Sequence, residues 1–222
     1  MSTLISKKRP PKAGTSSRNR QEKKDSTRQA ILRAALALFA QKGFYETTTR
    51  AISRKAKIAE GTLFNYFETK EDLALYFFEQ ELAEVIDWYR RDKRTREAPL
   101  AEKLFAIINH LLERIAPYED FIGAVYLRAM RLSSKLSPLN LQAQQNNLRY
   151  LTFIREVLAE AEEREEIPRL GDMGAYAFAL FHLAIITYWL QDRSPGKEQT
   201  MALVDRWLKM GNHVLKRGDW EW

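Results

Sequence analysis

Residues 47–70, TTTRAISRKAKIAEGTLFNYFETK, read as two short helices meeting at a tight turn. Thr47 and Thr48 offer side-chain oxygens to cap the first, expected from Thr49 to Ala56, whose Ile52 and Ala56 lie one turn apart on a single face. The second is expected from Glu60 to Phe67. At about 100° per residue, Leu63 and Phe67 point together into a core, whereas Gly61, Thr62 and Asn65 face the opposite way. A helix face of small and amide side chains, set within a cluster of Arg50, Arg54, Lys55 and Lys57, suits the reading of base edges in a major groove. Read without its setting, the same stretch is a small polar helical hairpin.

The setting decides between the two. From Ser26 to Lys42, Ile31, Ala35, Leu38 and Phe39 recur at helical spacing, and Gly43 follows as a stop, which makes a supporting helix. Residues 29–46, QAILRAALALFAQKGFYE, are followed by GTLFNYFETKEDL at 61–73. Together these resemble the DNA-binding domain of the TetR family of bacterial transcriptional regulators, in register from Ser26 to Leu75. The match rests on Gly43 and Phe44, the threonine cap, Gly61-Thr62-Leu63, the aromatic pair Tyr66 and Phe67, and Lys70-Glu71 with Leu73. Three positions depart from the family pattern. Lys57 stands where a turn glycine is common, Ala59 where Ser or Thr usually caps the second helix, and Phe64 where Tyr is frequent.

Charge is placed to the same effect. The net charge of +7 over 222 residues is concentrated at the start of the chain. Residues 1–24 hold eight Lys or Arg against one Glu, while everything after residue 73 is slightly acidic. Positive charge at one end steers that end toward a polyanion. Residues 1–24 also lack apolar residues after Ile5 and are expected to be a disordered basic tail, a candidate arm for phosphate or minor-groove contacts. They contain no secretory signal, which leaves the cytoplasm as the expected location. With 45% hydrophobic residues the rest can bury a good-sized core, and the absence of cysteine rules out disulfides and thiolate zinc.

Beyond the hairpin the chain reads as all-α. Pro99, Pro117, Pro138, Pro168 and Pro195 punctuate amphipathic stretches, and no run alternates as a strand would. Nine helices are expected, at 26–42, 48–56, 60–67, 71–94, 100–115, 118–135, 139–165, 172–191 and 197–216. Domains divide at 1–24 (tail), 25–73 (three-helix helix-turn-helix domain) and 74–222 (helical bundle for ligand binding and dimerisation).

The helix between Asp172 and Asp192 has no charged residue, nearly enough length to span a bilayer. Gly174, His182, Thr187 and its alanines dilute its hydrophobicity, and its flanks are acidic where a membrane helix has basic or aromatic anchors, so no membrane is expected. In water such a helix must be covered all round, which one subunit can hardly do. The last helix makes a similar demand. Met201, Val204, Leu208, Gly211 and Leu215 form one stripe, and Leu203, Trp207, Met210 and Val214 a second. One stripe can meet the subunit's own core and the other a partner, so the last two helices of two copies would build a homodimer interface.

No phosphate-binding glycine loop, His-Glu-x-x-His or Glu-x-x-His motif is present, and His110, His182 and His213 fall on three different helices. No enzyme, metal site or cofactor is expected. The resemblance instead implies a one-component regulator: a homodimer on a palindromic double-stranded DNA operator, a repressor released by a small-molecule effector. By position it assigns Thr49 and Arg50 to the groove and Thr62, Phe64 and Asn65 to base edges or a thymine methyl. Tyr66 and Lys70, with Thr48 and Lys57, go to phosphates, and Gly61 to close approach of the backbone. The competing expectation is a helical small-molecule carrier or interaction module without sequence-specific DNA binding. For the effector site, polar residues within apolar faces are the available handle, because burying them unpaired would cost roughly 1 to 3 kcal/mol each. Asn146 and Asn147 interrupt the Ala143, Tyr150, Phe153, Ile154, Val157 stripe, Arg128 borders Phe121, Val125 and Leu132, and His182 sits mid-helix. Arg128, Asn146, Asn147, Tyr150 and His182 are therefore the candidate ligand set, for an apolar or aromatic molecule. The alternative is that they pair with one another or face the dimer seam.

Overall fold

The computed structural model describes residues 14–129, 135–136 and 141–217, and all regular structure among them is helical. In chain order these are α1 (Gly14–Glu46), α2 (Thr49–Lys55), α3 (Glu60–Phe64), α4 (Lys70–Arg91), α5 (Lys93–Glu97), α6 (Leu100–Ile115), α7 (Glu119–Ala129), α8 (Leu141–Glu163), α9 (Gly171–Gln191) and α10 (Glu198–Arg217). Each of the nine expected helices has a counterpart, and α5 is an addition. Residues 1–13 of the tail, Leu132 and Pro138, and the helix ends expected at 130–134 and 139–140 lie outside the described residues.

Three local expectations are corrected. The tail expected to be disordered to Lys24 is helical from Gly14 onward, as an exposed extension of α1 held by contacts one turn apart. Arg18 reaches Glu22 at 3.0 Å and the Thr27 hydroxyl donates to the Lys23 carbonyl at 2.8 Å. Thr47 does not help cap α2. It is buried and donates to the Gly43 carbonyl, so Thr48 alone caps, accepting from the Ala51 N–H at 3.1 Å. The helix expected to reach Arg94 stops at Arg91, because Asp92 takes an extended backbone and caps α5 through the Arg94 N–H and the Thr95 hydroxyl.

Gly43 ends the regular turns of α1 with φ +80°, a backbone that glycine adopts without steric cost, and so turns Phe44 inward. Ile31, Ala35, Leu38 and Phe39 of α1 close over Ile52, Leu63 and Phe67, all buried. This small core is not sealed from the rest. Phe121 of α7 stacks on Phe39 with centroids 4.9 Å apart and meets Phe77 of α4 edge-on at 5.4 Å. The boundary drawn after residue 73 thus falls inside α4, with one continuous core running across it.

In the larger part, α9 packs against α8 and α10. Its covered stripe is Ala175, Phe178, His182, Ile185 and Trp189. Its other side leaves Met173, Tyr176, Leu180, Leu183 and Tyr188 exposed, Leu180 by 69%. By length and composition α9 could cross a membrane, but its buried stripe is seated on neighbouring helices. The two stripes of α10 divide as expected. Val204 is fully buried while Trp207, Met210 and Val214 are exposed. At the foot of α10, buried Asp192 accepts hydrogen bonds from the backbone and hydroxyl of both Ser194 and Thr200 at 2.6–2.8 Å. Burial pushes its pKa up, but these four donors outweigh it and hold the carboxyl well below the ordinary carboxylate range.

Candidate nucleic-acid interface and effector site

α2 and α3 are set at their angle by the turn at residues 56–59, where Lys57 takes φ +57°. A side chain there carries strain of about 1 kcal/mol that glycine would avoid. The Thr49 hydroxyl donates to Glu60 Oε1 at 3.1 Å and ties the start of α2 to the first turn of α3. The cap position Ala59 makes no side-chain hydrogen bond, as its methyl group dictates. Leu63 is fully buried and Phe67 nearly so, which aims the opposite face of α3 outward. On that face Gly61, Phe64 and Asn65 are exposed and Thr62 half-buried, with Arg50, Arg54, Lys55 and Lys57 exposed around them and Thr48 beside them. The ring of Tyr66 is half-buried against the core.

Gly61 is informative. A Cβ there would meet nothing within 4 Å and its φ is not positive, so nothing in the described fold requires glycine. A helical glycine costs about 1 kcal/mol relative to alanine. The residue costs stability that the chain itself does not recover, as expected where an outside backbone must come close.

Lys70 is more committed than its phosphate assignment implies. Its ammonium donates to the Phe44 carbonyl at 2.6 Å and the Tyr45 carbonyl at 3.1 Å, and lies 4.8 Å from the Phe44 ring centroid. Burial, and then the nearby Arg128, lower its pKa. One N–H is left for a phosphate. The next residues of α4 are gripped from the other domain. Arg128 Nε pairs with Glu71, and Lys135 reaches Glu68 and Asp72 at 3.1 Å, Asp72 being also the capping-box partner of Thr69. Burial lowers the Lys135 pKa, but the hydrogen bonds its ammonium donates to these two carboxylates outweigh it and raise the pKa overall. Sequence reasoning missed Glu71, Asp72 and Lys135, because partners 57 and 63 residues apart leave no local spacing to detect.

The five candidate ligand residues do not converge. Arg128 is spent on Glu71, the Asn146 amide donates to the Leu75 carbonyl at 3.1 Å, and Asn147 is exposed. Tyr150 and His182 do meet: the phenol and imidazole Nδ1 share a hydrogen bond between α8 and α9. His182 is only 5% exposed, and its Nε2 is buried with no hydrogen-bond partner among the described residues. Burial holds the imidazole pKa down to about 4 and pushes the tyrosine's far up, so both groups are neutral at physiological pH. A groove of about 370 Å³ between α4 and α8 has Phe153 in its wall, one turn from Tyr150, together with Ile86, Leu148, Arg90 and Arg149. A second, of about 390 Å³, lies between α6 and α10, and none of the five candidates lines either groove.

Residues 31–77 match the family described as bacterial regulatory proteins, tetR family, and residues 103–221 match the tetracyclin repressor-like C-terminal domain. The fatty acid metabolism regulator protein of Bacillus subtilis is 25% identical over 139 residues, 62% of this chain and 69% of that protein. The transcriptional repressor KstR2 of Mycolicibacterium smegmatis is 32% identical over 106 residues, 43% of this chain and about half (49%) of that one. A crystal structure of Thermus thermophilus FadR, a TetR-family transcriptional repressor in complex with lauroyl-CoA, superposes with a TM-score of 0.62 at 26% identity, covering 82% of this chain and 93% of that chain.

Proposed function

The chain belongs to the TetR family of ligand-responsive, DNA-binding bacterial regulators, and on that footing we propose that it is a homodimeric repressor released from a palindromic operator by an acyl thioester. The observation that carries DNA reading is the outward face of α3: exposed Gly61 and Asn65, ringed by four cations, with a glycine that nothing inside the fold requires. Thr48, Thr49, Arg50, Thr62 and Phe64 complete the groove-facing set, and Lys57, Tyr66 and the free N–H of Lys70 serve phosphates. The exposed helical extension of α1 adds Arg20, Lys23 and Lys24 as phosphate contacts.

Dimerisation through α9 and α10 is supported by their uncovered apolar sides. Tyr150 and His182 are the ligand residues retained from the candidate set, and the acyl thioester is supported by the likeness to the lauroyl-CoA complex. The protein works in the cytoplasm without chemistry of its own. By linkage, an effector that weakens operator binding must bind the DNA-bound form less well than the free form.

The test is fluorescence anisotropy of a duplex from the DNA upstream of the gene, at fixed salt, against a random duplex, with lauroyl-CoA, free CoA and aromatic acids added in turn. A preference of roughly 10³-fold or more for the upstream duplex, abolished by lauroyl-CoA, is expected. Equal affinity for both duplexes would leave a helical carrier as the better reading.

A further inference from the structure

His182 holds an unusual position. It lies on the covered stripe of α9, in a helix whose interior has no charged residue, and one of its two ring nitrogens has a partner while the other, buried, has none among the described residues. Because the ring is neutral, it carries one proton, and the two placements of that proton differ in cost. If Tyr150 donates its hydroxyl hydrogen to Nδ1, the imidazole proton sits on Nε2 and one buried donor is left over. If Nδ1–H donates to the phenol instead, both the Nε2 lone pair and the phenol hydrogen lack partners. The first arrangement leaves fewer orphans and is preferred. Between α8 and α9 this leaves a buried N–H, on His182 Nε2, with no acceptor among the described residues.

A buried water needs two or more polar partners, and the rings beside His182 offer one hydroxyl, that of Tyr150, which is already engaged with Nδ1. An otherwise apolar molecule with one acceptor oxygen fits. We infer that His182 Nε2–H donates to the acyl carbonyl oxygen of the effector, with Tyr150 fixing the tautomer, so that the site requires a carbonyl on the chain and rejects its hydrocarbon or amine equivalents. The groove between α4 and α8 is lined by neither Tyr150 nor His182, so a carbonyl would reach Nε2 where α8 and α9 part, not through that groove. The inference rests on the effector reading above and names the atom through which it works.

Two ligands separate the inference from that reading: lauroyl-CoA, and its thioether S-dodecyl-CoA, which differs only in having CH2 where the thioester has C=O. Calorimetric titration of the full-length chain should show the thioester bound about 10- to 100-fold more tightly. His182→Phe should bind the two within about twofold of each other. Tyr150→Phe, which keeps the imidazole but frees its tautomer, should retain part of the preference, and it serves if His182→Phe melts too low to measure. Equal binding of the two ligands by wild type, or an undiminished preference in His182→Phe, overturns the inference and leaves the effector reading standing. Binding of neither ligand overturns both.

Discussion

The α2–α3 hairpin and the outer side of α9–α10 both expose groups from which a lone chain gains nothing, and they do so with opposite chemistry. At the hairpin the exposed groups are four cations, an amide, a helical glycine and a strained lysine turn. On α9 and α10 they are Met173, Leu180, Trp207, Met210 and Val214, all apolar, with Arg206 and Lys209 exposed beside those of α10. The polar surface is already hydrated, so its partner must offer matching charge and base edges to displace that water. The apolar surface gains from any cover, and an identical copy supplies it with the same helices. An incomplete surface names the class of its partner through what it would gain.

Charging the apolar side should have the largest effect. Leu180→Asp combined with Trp207→Asp should raise the dimer dissociation constant by 100-fold or more, since each buried large side chain contributes about 2 kcal/mol. Both residues are exposed in the single chain, so circular dichroism should be unchanged while sedimentation shows monomers. Operator affinity should fall with the dimer; a monomer that still binds the palindrome fully would separate the two surfaces.

The covered stripe of α9 provides a control for its open side. With its pKa held down to about 4, His182 stays unprotonated in the fold while the unfolded chain takes up a proton near pH 6.5. Its contribution to stability is therefore full above pH 6.5 and declines between 6.5 and 4, by about 1.4 kcal/mol per pH unit. The Asp192 contribution is retained through that window and declines only below pH 3.8. Denaturation of wild type minus His182→Phe between pH 7 and 5 should show the slope, and parallel curves would contradict it.

On the polar side, Asn65→Ala should lose about 1 to 3 kcal/mol on the operator and much less on random DNA, because an amide can bond adenine N6 and N7 together. Equal loss on both would remove Asn65 from the base-reading set. The smallest effect belongs to the bare cap. Ala59→Ser should stabilise the fold by about 0.5 to 1 kcal/mol in thermal melts, by satisfying an N–H at the start of α3.

What could be read from the sequence was whatever short-range spacing encodes. α6 falls at residues 100–115 as expected, because Pro99 and a clean apolar stripe mark its start and face. The two stripes of α10 divided into a covered and an open one, and both Lys57 and Ala59 were recognisable as costly substitutions. The five-residue α5 was missed, although Asp92 followed by Thr95 is a capping signal that could have been weighed. Arg128 and Asn146 were drawn into the ligand set because their polarity was visible and their partners, Glu71 and the Leu75 carbonyl, were not. Tyr150 and His182 were named for the same reason, yet their pairing depends on how α8 and α9 face each other, which no spacing within either helix records.

Two copies of this hairpin should read DNA together, and footprinting of the full-length chain on its upstream duplex measures that directly. Two protected segments of equivalent sequence are expected, related by two-fold symmetry, with centres about one helical turn or a multiple of it apart, both lost when Asn65 is replaced by alanine. A single asymmetric segment, or uniform protection along the duplex, would contradict it.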